Sequence, residues 1–340
     1  MTEQSSDVLI IGAGLSGLSA AHELSEHGLS VTLVDKGRSV GGRLATRRIG
    51  DGLADHGAQF FTARSEDFQL EVDKWVAEKI VYIWSNGFSD GIRTKEQFDN
   101  HPRYATNGGM NALAKYLAQQ LSDKTNICTD VKIVSISAKD DGWQAQDDKG
   151  NLYTAKALLL TPPVPQSLTL LGDLRDKLNP HDKKALERIK YAPCITGLFR
   201  VEGDVNLPEP GALQRPQAVL SWIADNQRKG ISPQAHIITV HAAGNISQNL
   251  WDQPEAAALD FVRQQFEEFL AEDATIVKAE LKRWRYSQPT ILHPERYLMA
   301  QGLPPLAFAG DAFSEARVEG AFLSGLAVGE ALAIRLTSKV

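Results

Sequence analysis

The chain has 340 residues, of which 43% are hydrophobic, so it can fill one large core or two medium ones. Its net charge of −6 argues against a nucleic-acid-binding protein, because such proteins usually carry a basic excess. The two cysteines, Cys128 and Cys194, lack metal-ligand spacing and are typical of a protein from a reducing compartment.

The N-terminal region carries the pattern strand, glycine-rich turn, helix, strand. Apolar residues predict a strand over residues 8–11, helical periodicity follows over 16–26, and a second apolar strand covers 31–35. The glycines between the first strand and the helix have the spacing Gly-x-Gly-x-x-Gly. This order of elements is that of a dinucleotide-binding unit.

Each residue of this glycine pattern has an expected role. Gly12 makes the tight turn, Gly14 lets the backbone approach a pyrophosphate, and Gly17 lets the helix and strand pack closely. The N-terminus of the helix, with Ala13 and Ser16 beside it, offers N–H groups to phosphates. Asp35 is expected to accept hydrogen bonds from the adenosine ribose. Because its carboxylate repels a 2′-phosphate, the sequence favours FAD or NAD over NADP at this site.

A second glycine loop follows directly after the acidic residue. Lys36 begins a basic stretch that leads to Gly41, Gly42 and Arg43. The loop resembles the second fingerprint of amine-oxidase-like FAD proteins, in which glycines pass close to the pyrophosphate and an arginine adds a charge-assisted contact. The alternative is a solvated basic loop.

The middle of the chain reads as a sheet-rich insertion. A helix is predicted over residues 110–121, and the apolar strand over 157–161 ends at Pro162-Pro163. Further strands are predicted over 131–137, 143–147, 152–154, 194–202, 218–224, 236–242 and 276–286, with an amphipathic helix over 254–270. We therefore expect an antiparallel sheet with helices, inserted before the chain returns to the dinucleotide domain near Ala300.

The C-terminal region decides between the two dinucleotides. An apolar strand ends in Gly310-Asp311, and an apolar helix follows to about Leu336. In many FAD proteins such an aspartate binds a ribityl hydroxyl, and the next helix directs its N-terminus at the flavin. The alternative is an ordinary core helix that follows a Gly-Asp turn. That alternative does not explain why the N-terminal and the C-terminal regions of the chain each carry one part of an FAD-binding site. The sequence predicts non-covalent FAD, because neither cysteine lies in this motif.

Four motifs, at residues 55–64, 106–110, 159–165 and 310–321, resemble the renalase family and specifically its bacterial branch. The resemblance covers nearly the whole chain. It implies an α/β fold with a Rossmann-like FAD-binding domain built on a parallel sheet. An interleaved substrate domain on a mixed or antiparallel sheet with helices completes it, as in amine oxidases. The expected FAD-binding domain comprises residues 1–62, 104–163 and 296–340, and the substrate domain comprises 63–103 and 164–295.

The resemblance also implies an activity and a set of site residues. The activity is that of an FAD-dependent oxidase that removes a hydride from 2- or 6-dihydro-NAD(P), giving NAD(P)⁺ and hydrogen peroxide. Direct hydride transfer requires alignment and no protein base, so no catalytic side chain is expected. The expected cofactor contacts are Gly12, Ala13, Gly14, Ser16, Gly17, Asp35, Lys36, Gly42, Arg43, Gln59, Phe60, Val131, Gly310, Asp311, Val318 and Ala321. The expected substrate contacts are Gly57, Ala58, Gln59, Phe60, Phe61, Ala312 and Arg317.

Alternatives remain open from the sequence. One is another FAD oxidase or desaturase that acts on amines or polyenes, and another is a flavoprotein without catalysis. His56 can be an active or a packed histidine, His241 reads as a satisfied core histidine, and aromatic strand residues such as Trp222 and Trp284 can line a pocket or the core. Arg317 can pair internally with a neighbouring glutamate.

Location and partners are further expectations. The N-terminus has no basic region followed by an apolar core, so no signal peptide is predicted. The apolar segment 321–336 is short for a membrane span and contains Glu330 and Arg335. We expect a cytoplasmic protein that takes a small dihydronicotinamide and O₂, with no metal, nucleic acid or membrane partner.

Overall fold

The computed structural model describes residues 3–92 and 99–338. Its strands, numbered in chain order, are β1 (Glu3–Ile11), β2 (Val31–Val34), β3 (Thr46–Ile49), β4 (Gly52–Asp55), β5 (Val81–Ser85), β6 (Arg103–Thr106), β7 (Thr125–Cys128), β8 (Ile133–Lys139), β9 (Gly142–Asp147), β10 (Leu152–Leu160), β11 (Lys190–Glu202), β12 (Ala212–Gln214), β13 (Leu220–Asp225), β14 (Ile237–Ala242), β15 (Thr275–Ile291), β16 (Tyr297–Ala300) and β17 (Leu306–Ala309). Its helices are α1 (Leu15–Glu26), α2 (Glu66–Ala77), α3 (Asn111–Gln119), α4 (Val164–Leu171), α5 (Pro180–Glu187), α6 (Gly244–Asn249), α7 (Glu255–Glu267) and α8 (Val318–Thr337).

Both structural units are assembled from separated segments of the chain. The first unit comprises Met1–Gly42, Ala114–Lys190 and Pro289–Val340, and the second comprises Arg43–Leu113 and Tyr191–Gln288. Interleaving was expected, but the boundaries differ from those expected from the resemblance. The β3–β4 hairpin belongs to the second unit because β4 packs against β14, whereas α4 stays with the first unit because it packs against β8. The assignment of the units to cofactor and substrate stays a prediction.

A mostly parallel sheet forms the centre of the first unit. Its strand order is β16-β17-β10-β1-β2-β7, with β9 paired to β10 and β8 to β9. The contiguous strands β17, β10, β1, β2 and β7 are all parallel, while β16 and β9 add antiparallel pairs. All four residues of β2 and of β17 are buried, as expected where helices cover both faces. The loops that follow the carboxyl ends of the parallel strands therefore emerge at one edge.

Helices α1 and α8 pack closely against each other in this unit. A methyl group on Gly325 would lie 2.0 Å from Ser19 Oγ, and one on Gly329 would lie 2.8 Å from Glu23 Cβ. The Ser19 hydroxyl also donates a 2.9 Å hydrogen bond to the carbonyl of Phe322 across the helix pair. Helix α8 is long and apolar enough to span a membrane by length and composition, and half of its apolar 18-residue window is buried in the structure.

An antiparallel sheet forms the centre of the second unit. Its order is β12-β13-β14-β11-β15, with the pairs β12–β13, β13–β14 and β14–β11 antiparallel. Helix α7 covers one face, where Phe266 stacks on Phe199 of β11 with ring centroids 5.0 Å apart. The buried Val262 and Ala258 of the same helix extend this contact. The α/β class and the antiparallel insertion predicted from the sequence are confirmed.

Several element boundaries differ from the sequence prediction. The strands predicted over residues 152–154 and 157–161 form the single strand β10, which pairs with β1 along its whole length. The apolar pattern is interrupted by Lys156, whose exposed ammonium group instead pairs with Asp7 of β1 at 2.8 Å. Strand β15 continues five residues past the predicted end at residue 286, to Ile291. The chain consequently returns to the first unit at Pro289 and not near Ala300.

Candidate functional site: a dinucleotide cradle and a buried polar hub

The loop after β1 is shaped by its glycines. Gly12 has φ +105°, a left-handed conformation that favours glycine, and a methyl group there would lie 2.4 Å from Thr161 Oγ1. A methyl group on Gly17 would lie 2.0 Å from the carbonyl oxygen of Gly12. Gly14, by contrast, has nothing within 4 Å of its Cβ position. Two glycines are therefore needed for close packing, whereas Gly14 leaves a space open beside the start of α1.

The carboxylate of Asp35 is held at the end of β2. Its Oδ2 accepts the amide hydrogen of Ala13 at 2.7 Å, and its Oδ1 accepts that of Gly37 at 2.6 Å. The backbone carbonyl of Asp35 accepts a 2.9 Å hydrogen bond from the amide of Val131. Val131, which was predicted to contact the cofactor, therefore lies beside Asp35. The side chain remains partly exposed beside the exposed Lys36. Each carboxylate oxygen keeps a further lone pair, so a ribose hydroxyl can still be accepted.

The second glycine loop lies where the chain passes from one unit to the other. Gly42 has φ +52°, and a methyl group on it would lie 3.5 Å from the Cα atom of Gly14, so the loop belongs to the same cradle. Arg43 begins the second unit, where its Nη1 donates to the carbonyls of Tyr286 and Ser287, both at 3.3 Å. Arg43 is thus not merely a solvated basic residue. Its contact with a pyrophosphate stays a prediction.

The Gly-Asp pair follows β17 at the same sheet edge. The Gly310 amide donates to Ser324 Oγ of α8 at 2.8 Å, which ties the turn to the helix. Asp311 is partly buried, and α8 begins at Val318, with the Ala321 amide bonded to a carbonyl one turn before. Because β17, β10 and β1 are parallel neighbours, these residues and the first glycine loop lie at one edge.

Two predicted substrate contacts in the first unit have different surroundings. Ala312 is buried, and its carbonyl accepts the amide hydrogen of His293 at 2.9 Å. Arg317 is exposed, and its Nη1 lies 3.8 Å from Oε2 of Glu315. The internal ion pair left open from the sequence is therefore present, although at this distance and exposure it is weak.

The first unit fits a bound dinucleotide. Ser16 Oγ in the first turn of α1 is buried and lacks a hydrogen-bond partner among residues 3–92 and 99–338. The open space at Gly14, the oriented carboxylate of Asp35 and the Gly-Asp turn at Asp311 share one edge of the sheet. Amides at the start of α1 and a hydroxyl without a partner suit a pyrophosphate, and the two acidic residues suit hydroxyl groups.

The second unit contains a polar hub that is entirely buried. Asp55 and Lys229 are both fully buried, and their carboxylate and ammonium groups lie 2.6 Å apart. The other carboxylate oxygen of Asp55 accepts from Thr46 Oγ1 at 2.5 Å and from the Met110 amide at 2.8 Å. Lys229 also donates to the Gln59 carbonyl at 2.5 Å. Burial lowers the pKa of Lys229, and the adjacent Asp55 carboxylate opposes that shift.

The backbone of Asp55 is held by the same hub. Its amide donates to Asn226 Oδ1 at 3.2 Å, and its carbonyl accepts from Thr239 Oγ1 at 2.8 Å. The sequence analysis missed Lys229 and Asn226, because both belong to a polar stretch that reads as a solvated turn.

The structure uses the side chain of Gln59 internally. Its Nε2 donates to the carbonyls of Asp55 at 2.8 Å and Gly57 at 3.1 Å, and its Oε1 accepts from Trp222 Nε1 at 3.1 Å. Both amide hydrogens are therefore engaged and the side chain is buried. The side chain of Gln59 thus fixes the conformation of residues 55–59, and its predicted contacts with cofactor and substrate stay predictions.

Phe60 belongs to an aromatic cluster. Its ring centroid lies 5.0 Å from that of Phe88 and 5.3 Å from that of Trp222, and Trp84 completes the group. The ammonium group of Lys229 lies 4.8 Å from the centroid of Trp84. Phe60 is only partly buried, and the guanidinium group of Arg103 lies 5.9 Å from its ring centroid. Trp222 is core in this arrangement, one of the two alternatives left open.

The side chain of Phe61 packs in the core. Successive side chains of extended backbone point to opposite sides, and Phe61 is buried against Phe68, Trp75 and Tyr104. The packing gives Phe61 a core role, and its predicted substrate contact stays a prediction.

Gly57 and Ala58 pack against the backbone of Arg43. A methyl group on Gly57 would lie 2.0 Å from the Arg43 carbonyl oxygen, and the Ala58 amide donates to the same oxygen at 2.8 Å.

Two histidines of the second unit have ring nitrogens without a partner. His56 Nδ1 and His241 Nε2 are buried, and neither has a hydrogen-bond partner in the described part of the chain. Burial, together with nearby cations, lowers the pKa of His56 to about 4 and that of His241 to about 3. Both rings are therefore neutral at pH 7. The sequence favoured a satisfied core histidine at position 241 over a functional one, whereas Nε2 has no hydrogen-bond partner among the described residues.

Metal chemistry finds no support in the described ranges. Among these residues, no group of three or more His, Cys, Asp or Glu side chains is arranged to bind a metal ion. Burial raises the pKa of the Cys194 thiol to about 11, so this cysteine is an inert core side chain and not a nucleophile.

Family models match most of the chain. A model described as an NAD(P)-binding Rossmann-like domain matches residues 10–72, which include the first glycine loop and Asp35. A model described as flavin containing amine oxidoreductase matches residues 77–333. These matches, together with the fold, confirm FAD as the cofactor predicted from the sequence. FAD supplies a two-electron acceptor, and the cradle residues of the first unit would hold it.

Individual relatives agree with the family models. Renalase from Mus musculus is 26% identical over 341 aligned residues, which cover 95% of this chain and 97% of the relative. An L-amino-acid oxidase from Sistrurus catenatus edwardsii is 45% identical over 191 residues, which cover 54% of this chain but 36% of that protein. The renalase resemblance noted from the motifs is therefore confirmed over nearly the whole chain.

Solved structures show the same fold at low identity. A structure from Exiguobacterium described as a protoporphyrinogen oxidase has a TM-score of 0.72 and 13% identity, covering 98% of this chain and all of that one. A putrescine oxidase variant has a TM-score of 0.69 and 14% identity with the same coverage. With the family model matching over more than half of its length, this chain belongs to the flavin containing amine oxidoreductases and is renalase-like.

Proposed function

We propose that this FAD-dependent oxidoreductase oxidises 2- or 6-dihydro-NAD(P) and gives NAD(P)⁺ and hydrogen peroxide with O₂. The observation that carries the proposal is the renalase similarity, which extends over 95% of the chain and therefore over both units. Similarity to the other relatives is either local or at the level of the fold. A shared cofactor cradle alone would not favour this substrate over others.

The chemistry of residues 55–61 supports a dihydropyridine substrate. The carboxylate of Asp55 is neutralised by Lys229, Gln59 is fully engaged, and Phe60 offers a flat apolar face. None of these groups is a free base. Oxidation of a dihydropyridine needs no base, because the departing hydride leaves an aromatic pyridinium ring.

A second candidate is amine oxidation. The description of the matching family and the fold of putrescine oxidase favour it. An amine is oxidised as the neutral base, whereas most amines are ammonium ions at pH 7. The cations nearest the motif, Lys229 and Arg103, are paired with Asp55 at 2.6 Å and with Asp99 at 2.9 Å, so these two carboxylates are already engaged and do not hold such an ion.

The test is anaerobic stopped-flow mixing of the purified yellow protein with each candidate donor. We expect 2- or 6-dihydro-NAD(P) to bleach the flavin at least about a hundredfold faster than 4-dihydro NADH or amines, a difference of about 2.7 kcal/mol in activation free energy. When O₂ is readmitted, the yellow colour should return and one molecule of hydrogen peroxide should form per flavin reoxidised. Faster bleaching by putrescine or another amine would replace this proposal with the second candidate. A cytoplasmic location stays a prediction, to be checked by cell fractionation.

A further inference from the structure

The two unpaired imidazole nitrogens lie on neighbouring parts of the second unit. His241 of β14 is the register partner of Thr196 on β11, and Thr196 Oγ1 donates to the His56 carbonyl at 3.4 Å. One threonine therefore adjoins both histidines. Buried polar atoms usually find a partner, because leaving one unpaired costs stability. His56 also acts electrostatically on His241, so the two unpaired atoms share one neighbourhood and point to a group that is bound there when the protein works.

The ring of His56 is held in a fixed orientation. It stacks on Trp284 with ring centroids 5.2 Å apart and an interplanar angle of 23°, and Trp284 Nε1 donates to the His56 carbonyl at 2.8 Å. His241 is fixed from both sides by its strand partners Thr196 and Trp222. Its ring remains partly accessible although Nε2 is buried. Both rings are thus preorganised and neither is needed by the fold for a hydrogen bond at these atoms.

The electrostatic surroundings define the kind of ligand. Lys282 and Arg47 act on His56 and Lys229 acts on His241, but Arg47 is paired with Glu280 at 2.8 Å and Lys229 with Asp55 at 2.6 Å, so the net charge of these five groups is positive by one. Asp55 also faces His56, but its carboxylate is already paired with Lys229. A protonated amine would meet this excess positive charge, and the carboxylates of Asp55 and Glu280 are already paired. A neutral imidazole nitrogen donates or accepts according to its tautomer, which suits an uncharged group with both functions.

We propose that His56 and His241 form a subsite for an uncharged amide group of the substrate, and that this subsite selects a pyridine carboxamide over an amine. The inference rests on the proposed function and adds to it the residues that read the ring substituent. His56 Nδ1 and His241 Nε2 take opposite roles, one as donor to the carbonyl oxygen and one as acceptor from the amide N–H. Neither transfers a proton in the reaction.

The experiment crosses a protein change with a ligand change. The variants are His241→Leu, His241→Gln and His56→Leu, with His101→Gln as matched control because His101 is an exposed histidine of the same unit. The probes are nicotinamide mononucleotide and its analogue without the carboxamide, titrated into the oxidised holoenzyme and followed by the flavin difference spectrum. In each leucine variant, we expect the dissociation constant of nicotinamide mononucleotide to rise about tenfold. The dissociation constant of the analogue without the carboxamide should stay within about twofold of its wild-type value. His241→Gln should recover most of the affinity, and the control should match the wild type.

Stability separates a binding role from a structural one. If the unpaired nitrogens serve a ligand, replacing His241 with leucine removes a buried unsatisfied atom, and the melting temperature of the ligand-free variant should stay equal or rise. A structural role would lower it. As a measurement that needs no variant, the ¹⁵N imidazole signals of both histidines should shift when nicotinamide mononucleotide is added to wild-type protein.

The outcomes distinguish this inference from the proposed function. If the leucine variants weaken the binding of both probes equally, or change the binding of neither, the subsite is refuted. The proposed function would still stand if dihydronicotinamides bleach the flavin. A wild-type protein that binds the two probes equally would refute it as well. If amines bleach the flavin faster than dihydronicotinamides and the carboxamide probe does not bind, both proposals fail together.

Discussion

The glycine loop allows cofactor binding to be separated from folding by two similar substitutions. Gly14 has φ −75° and ψ −178°, which any residue adopts, and its Cβ position has no neighbour within 4 Å. Gly14→Ala should therefore cost the apoprotein only the difference between glycine and alanine at a helix N-cap, about 0.5–1 kcal/mol. The added methyl group occupies the space at the start of α1, so FAD affinity should fall tenfold or more, at least about 1.4 kcal/mol.

Gly17→Ala is the matched comparison with the opposite outcome. Its methyl group would lie 2.0 Å from the Gly12 carbonyl oxygen, about 1 Å inside the 3.0 Å that real Cβ contacts respect. The helix must move away from β1, and overpacking of this kind typically costs about 1–3 kcal/mol or more of folding free energy. Gly17→Ala should thus lower the stability of the apoprotein clearly more than Gly14→Ala does.

The assay is urea unfolding of both apoproteins, followed by fluorescence titration with FAD. The expected pattern is a near-normal midpoint with weak FAD binding for Gly14→Ala, and a lowered midpoint for Gly17→Ala. An FAD dissociation constant within twofold of the wild type for Gly14→Ala would show that no pyrophosphate passes this glycine. The placement of the cofactor at the carboxyl edge of the parallel sheet would then be wrong.

Three further predictions follow from single groups. Asp35→Ala should raise the FAD dissociation constant about tenfold, since a hydrogen bond to a charged group contributes about 1.5–3 kcal/mol, and an unchanged constant would make Asp35 purely structural. Arg317→Ala should raise KM for dihydronicotinamides without altering the flavin spectrum; unchanged kinetics would leave Arg317 as the partner of Glu315 only. The free energy of unfolding should fall as pH drops below about 6.5, because the unfolded chain then protonates His56 and His241 while their folded pKa values are about 4 and about 3. Each histidine contributes up to about 1.4 kcal/mol per pH unit, and urea titrations of the leucine variants should show a shallower slope.

The cradle could be predicted from the sequence because its signals are local. Gly12, Gly14 and Gly17 follow one strand directly, Asp35 ends the next, and Asp311 ends a third apolar run. Parallel pairing then brings strand ends that are distant in sequence to one edge, so a short-range pattern is enough to locate the site. The predicted order of β1, α1 and β2 is accordingly confirmed within one residue at most boundaries.

The second unit was less predictable because its chemistry depends on tertiary contacts. Lys229 follows a turn and carries no apolar pattern, yet it is fully buried against Asp55, 174 positions earlier in the chain. Phe60 and Phe61 are adjacent in sequence, but their side chains point in different directions. The ring of Phe60 is partly accessible, whereas that of Phe61 lies in the core. Whether Nε2 of His241 has a hydrogen-bond partner likewise depends on the residues that the neighbouring strands place beside it.

The packing of α1 on α8 bears on how the protein is made. The hydrogen bond from Ser19 to Phe322 closes 303 positions of chain, and β1 needs β10 before its second edge is paired. Such long-range closure slows folding, because the entropy of a large loop is lost before its contacts form. During synthesis at about 5–20 residues per second, the glycine loop leaves the ribosome well before the helix that buries Ser16 and Ser19. We therefore expect the chain to bind FAD only after α8 has been synthesised. Added FAD should protect the full-length chain from proteases. It should not protect nascent fragments that lack α8.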